Sequence, residues 1–216
     1  MAKNKIKQNV PTRYFTQKNR DKLEGALFGG GVLGMAAFIL FYLLVYWYYS
    51  MIGLYLGGSC IIAYIAITSK KVKDDGYDAH VKEFIEKNKL APTAKYSLSL
   101  YDAGRGYVKL CKDRKLRSSL YCISEFEFGR ESFDLTLTEI DFCETGDGAP
   151  KVTKKQYSLP IGMPYTVEDF TVETAEGKKN MQYLVLAPED GAPIKLPIDT
   201  TSCDSDEIIS KIKGRR

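Results

Sequence analysis

From Gly25 to Ser69 the chain carries no charged side chain, a run of 45 positions in a protein of 216 residues. No other feature constrains the fold as strongly. A helix needs ~20 apolar residues to cross the hydrocarbon of a bilayer, so the run is too long for one crossing and suits two with a tight turn. A single charge at the centre of such a helix costs ~2.5–3.5 kcal/mol on insertion scales, which gives the complete absence its weight. Within the hairpin 25–69, the spans are placed at about residues 26–46 and 52–69, with Trp47, Tyr48 and Tyr49 in the turn. Trp and Tyr favour the headgroup level.

Orientation follows from the flanks. The tail, residues 1–24, holds seven basic residues against two acidic ones, and the second span exits into Lys70, Lys71 and Lys73. The turn holds no basic residue. Basic residues stay on the cytoplasmic side, so both termini are expected there, and a cleaved signal peptide fits poorly. Gly30 and Gly34 form one G-x-x-x-G pattern and Gly53 and Gly57 another. Small residues let helix backbones approach closely, either within the hairpin or in a homo- or hetero-oligomer contact. Because the spans run antiparallel, the two motifs are expected at opposite membrane depths, unable to pack on each other. No ionisable residue interrupts either span, so no proton or ion pathway is expected.

The formal charge of +4 resides in the tail; residues 25–216 carry 24 basic and 25 acidic side chains. A nucleic-acid partner is therefore not expected. Cysteines 60, 111, 122, 143 and 203 are odd in number, form no C-x-x-C, and stand beside a single histidine, His80. No metal site, cofactor or disulfide framework is expected, and reduced thiols suit the cytoplasm. No catalytic set is recognised, since the usual partner of a Ser or Cys nucleophile is a base and the sole imidazole sits in a linker. The glycines from Gly29 to Gly34 lie inside an apolar span, not after a strand as a nucleotide loop requires. The carboxylate pairs Glu125/Glu127 and Glu139/Asp141 are read as solvated strand faces.

Beyond the hairpin, Tyr77, Val81, Phe84 and Ile85 recur at helical spacing, predicting an amphipathic helix in a linker, residues 70–94, that ends before Pro92. Its apolar face suits either the next domain or the membrane interface. From Lys95 the period becomes two. Strands are predicted at 96–101 and 107–111, joined by a hairpin turn at Asp102–Gly106, then at 120–128, 133–142, 152–159, 166–174, 182–187 and 194–198. A helix over 204–213 follows, with Asp204 as its cap, Glu207 completing a capping box, and Ile208, Ile209 and Ile212 as its apolar stripe. Residues 95–216 thus read as one mainly-β cytoplasmic domain, an antiparallel barrel or sandwich with a C-terminal helix.

This order, with strands at Val167–Val172, Tyr183–Leu186 and Ile194–Leu196 leading into Asp204–Lys213, resembles bacterial membrane proteins that join a transmembrane hairpin to a pleckstrin-homology-like (PH-like) β-barrel domain. The resemblance implies two near-orthogonal sheets plugged by the last helix, and a bacterial cytoplasmic membrane. PH-like domains that bind phosphoinositides place basic residues on early strands and their loop. Lys109, Lys112, Arg114, Lys115 and Arg117 are similar in placement and are candidates for contact with anionic lipid headgroups. Near a membrane each such side chain is worth ~1 kcal/mol. The implied function is non-enzymatic: an integral membrane protein presenting its β domain for protein or anionic-lipid contacts, with lipid and a protein partner or second copy as its partners. Two alternatives stand beside it: a small accessory subunit of a larger transport or secretion complex, and a membrane-anchored enzyme with an unrecognised site.

Overall fold

The computed structural model describes residues 10–15, 18–44, 46–68, 72–111, 113–146, 149–174, 176–188 and 191–214. The chain divides into two units between His80 and Val81. The first holds α1 (Val10–Phe15), α2 (Lys18–Leu43), α3 (Trp47–Thr68) and the start of α4 (Asp74–Lys87). Segments Leu23–Leu43 and Trp47–Thr68 are long and apolar enough to cross a membrane, with only 6% and 11% of their apolar windows buried. Trp47 to Met51, expected in the turn, form the first turn of α3 instead. No Pro, Gly or charge interrupts helix there, and the amides of Leu44 and Tyr46 close α2 on the carbonyls of Leu40 and Phe41.

The two glycine motifs meet, contrary to expectation. A Cβ on Gly34 would lie 2.6 Å from the Gly57 Cα, and one on Gly53 would lie 3.0 Å from the Gly34 carbonyl oxygen. Depth in a hairpin is counted from the turn, and Gly34 and Gly57 stand nearly equidistant from it. The motifs therefore overlap at one level, while Gly30 reaches only the Cys60 sulfur, at 3.5 Å. At the other end of the pair, the tail contributes structure. Tyr14 of α1 is fully buried, stacks on Tyr77 of α4 with ring centroids 4.5 Å apart, and donates a 2.9 Å hydrogen bond to Asp74.

The second unit contains β1 (Tyr96–Asp102), β2 (Val108–Leu110), β3 (Leu116–Ser118), β4 (Leu120–Phe128), β5 (Ser132–Gly146), β6 (Ala149–Pro160), β7 (Tyr165–Thr174), β8 (Gly177–Leu186), β9 (Ile194–Ile198) and α5 (Cys203–Ile212). All pairing is antiparallel: a four-stranded sheet β1-β4-β5-β6, a three-stranded sheet β7-β8-β9 and the hairpin β2-β3. Among the described residues β6 and β7 do not pair, so no barrel closes. Phe126, Phe133, Leu135, Leu184, Leu186, Leu196, Ile208 and Ile212 form a single core between the two larger sheets and α5. Ile209 is only partly buried against it.

Two local expectations fail here. β1 pairs with β4, not with the next strand, because Asp102 is drawn inward as a buried carboxylate where a solvent-facing turn was expected. The hairpin partner of β2 is β3, too short and polar to stand out in the sequence. The cap of α5 is Ser202, whose hydroxyl accepts from the Asp204 amide at 3.3 Å, displacing Asp204 from that role.

Candidate functional site

β6 and β7 border an open cleft of about 1250 Å³, with Leu137, Tyr157, Ile161, Phe170, Tyr183 and Pro193 among its lining. Its polar end grows from the loop after β1. Asp102, fully buried, accepts from the Tyr183 hydroxyl at 2.5 Å and the Gly104 amide at 3.0 Å through one oxygen, and from Arg105 Nε at 2.9 Å through the other. Arg105 also meets Glu139 of β5 at 2.6 Å, and the second oxygen of Glu139 accepts from Lys155 of β6 at 3.1 Å. Gly104 permits this approach, since a Cβ there would lie 2.4 Å from the Tyr183 oxygen. One chain of charge-assisted bonds thus joins β1, β5, β6 and β8 at the cleft. A buried charge is tolerated only when paired and hydrogen-bonded.

The titration of these groups runs away from neutrality. Burial works against the charge on Arg105, but Asp102 and then Glu139 outweigh it and hold the guanidinium more firmly protonated than usual. Burial raises Glu139, yet its bonds to Arg105 and Lys155 prevail and leave it below the ordinary glutamate value. Burial, then the Asp102 carboxylate, raise the Tyr183 phenol. The same two causes push the Cys122 thiol, 4.0 Å from Asp102, up to about 12. Near pH 7 the phenol and thiol stay protonated, Glu139 ionised and Arg105 charged. A general acid or base works best with a pKa near the operating pH, and none of these is poised so. The arrangement suits fixed polar recognition and the locking of a loop.

The basic residues singled out in the sequence separate. Arg117 is buried at 3% exposure and forms a two-pronged pair with Asp113, at 3.0 and 3.2 Å. Its hydrogen bond, together with that of the Lys115 amide, holds the Asp113 carboxyl below its usual range. Lys109 is half-buried opposite Arg117. Arg114 and Lys115 are exposed at the hairpin tip, and Lys112 lies outside the described residues. A residue the sequence did not offer joins them: Lys179 of β8 donates to the Arg114 carbonyl at 2.6 Å. Leu116, Val172 and Ala103, with Val108, Leu110 and Met181 packed around them, form the apolar platform that brings these tips together.

The carboxylate pairs are not simply solvated. Glu139 sits in the cleft network, and Glu125 accepts from the amides of Thr93 and Ala94 at 2.6 and 3.1 Å. Burial raises Glu125, but those amides outweigh it and lower its pKa. The four motif glycines lie in the helical hairpin, remote in sequence from these groups. The only advance signal for the network was the i, i+3 pairing of Asp102 with Arg105; its partners Glu139, Lys155 and Tyr183 come from distant strands. No family model, curated protein or solved structure matches the chain.

Proposed function

We propose that the protein is anchored in a membrane by α2 and α3 and presents a PH-like β domain for protein or anionic-lipid contacts, without catalysis of its own. The observation that carries this is the character of the α2–α3 pair. Gly31, Gly34, Gly53 and Gly57 face the inner contact, while Leu33, Leu43 and Ile62 on the outside are 70–73% exposed. Apolar surface left in water forgoes ~25 cal/mol per Å², a loss that lipid contact removes. The order of a four-stranded meander with one inserted hairpin, a three-stranded meander and a closing helix supports the PH-like reading. The fully partnered polar network supports a contact role over acid–base chemistry. The basic flanks of the hairpin favour a cytoplasmic position for both termini, and a bacterial cytoplasmic membrane rests on the resemblance alone.

Labelling tests the anchor and its orientation. Tyr48 is 76% exposed at the start of α3, whereas Ser50 is buried and unsuited to a probe. A Tyr48→Cys variant should react with an impermeant maleimide from outside intact cells, while the exposed native Cys203 should react only after lysis. Recovery of the protein in the soluble fraction, or the reverse labelling pattern, sinks the reading.

Anionic lipid as one contact is favoured by a separate observation, the convergence of Arg114, Lys115 and Lys179. In nanodiscs, their backbone amides should exchange more slowly when anionic lipid replaces zwitterionic lipid. Equal exchange in both removes lipid from the list of contacts.

A further inference from the structure

β6 and β7 are consecutive, long and largely exposed, and each is the edge of its own sheet. An open edge is a template for another strand. Their charges are opposite in kind: β6 carries Lys151, Lys154 and Lys155 with no acid, and β7 carries Glu168, Asp169 and Glu173 with no base. All six side chains are exposed, with Lys155, Glu168 and Glu173 also meeting Glu139, Lys195 and Lys178 of their own chain.

The spacing matches as well as the sign. One antiparallel register sets Lys151 opposite Glu173 and Lys155 opposite Asp169, with Lys154 diagonal to Glu168. The same register sets Val152 opposite Val172, Thr153 opposite Thr171 and Tyr157 opposite Val167. Opposite-charge, Thr–Thr and aromatic–β-branched pairs are those that stabilise facing strands. Pairing β6 with β6, or β7 with β7, would set like charges together. The two edges thus match in both sign and spacing.

The connection between the strands keeps them from forming it within one chain. The Ile161 amide bonds the Glu131 carbonyl at 2.9 Å, the Gly162 amide bonds the Ile212 carbonyl at 2.8 Å, and the Pro164 carbonyl accepts from Ala187 at 3.1 Å. These bonds tie the connection to the β4–β5 turn, to α5 and to the end of β8, so β6 and β7 leave it in separate sheets. We infer that a second copy of the chain supplies the partner, with β6 of each copy on β7 of the other in this register. Such an exchange is isologous and closes on itself as a dimer. It needs no assumption about whether α2 and α3 cross a bilayer.

The test uses the full chain in detergent micelles with the exposed Cys203 replaced by Ser. Chains carrying Lys151→Cys and chains carrying Glu173→Cys, mixed and oxidised, should form one cross-linked dimer, and neither alone should. A chain carrying both cysteines should cross-link between copies; a bond within one chain would overturn the inference in favour of closure of the monomer. Reversal by Lys151→Glu or by Glu173→Lys should weaken self-association about tenfold or more, since two cross-strand pairs per dimer become repulsive. The two reversals together should restore it, which also shows that the variants fold. A monomeric wild-type chain, or a dimer indifferent to both reversals, would refute the pairing.

Discussion

At the scale of single residues, Glu139 shows how much one position can differ from its sequence context. On β5 it continues the face of Phe133, Leu135 and Leu137, all buried in the core, and it ends that apolar row with a charge. It is accommodated because Arg105 and Lys155 reach it from two sides. Its depressed pKa fixes the sign of a pH dependence. A carboxylate lowered in the folded state contributes stability above its unfolded pKa and loses it as pH falls through the folded one. Urea midpoints of the wild type should therefore drop from about pH 4 downward, and Glu139→Gln should flatten part of that slope while lowering the midpoint at neutral pH. An unchanged slope would mean that the network does not govern acid sensitivity. Neither Arg105 nor Lys155 is identifiable as a partner of Glu139 from the sequence, because nothing local links residues so far apart in the chain.

Elements were more legible than pairings. The apolar run, the period-two stretches and the Ile208/Ile212 stripe are each written in consecutive residues, and α2, α3, the strands β4 to β9 and α5 overlap the stretches those patterns mark, with α3 and β8 beginning five residues earlier than expected. The failures of pairing depend on a partner: β1 joins β4 across an inserted hairpin, and the glycine motifs share a level that only the position of the turn defines. The second case gives a prediction at the same scale. Gly34→Ala places a methyl against the Gly57 backbone, which has no side chain to give way, whereas Gly30→Ala meets ordinary van der Waals distance. In mixed detergent–SDS unfolding, Gly34→Ala should lower the stability of the helix pair by about 1–3 kcal/mol and Gly30→Ala should leave it nearly unchanged. Equal effects would show that the close contact is not what holds the pair.

For the molecule as a whole, the boundary of the β domain falls earlier than the change of period at Lys95. Phe84 of α4 packs edge-on against the fully buried Phe142 of β5, ring centroids 5.4 Å apart, on the sheet face opposite Leu135 and Leu137. Ile140, also fully buried, shares that face. A domain cut at residue 95 therefore loses part of its cover. A fragment beginning at Asp74 should fold with a higher urea midpoint than one beginning at Lys95, and identical midpoints would make α4 a mere connector. The clasp of Tyr14 on Tyr77 and Asp74 carries the last consequence. It fastens the chain just before α2 to the chain just after α3, so the hairpin is a loop buckled at its base. A redistribution of lysines along the chain would not by itself part the two ends of that buckle, because a ring stack and a hydrogen bond hold them.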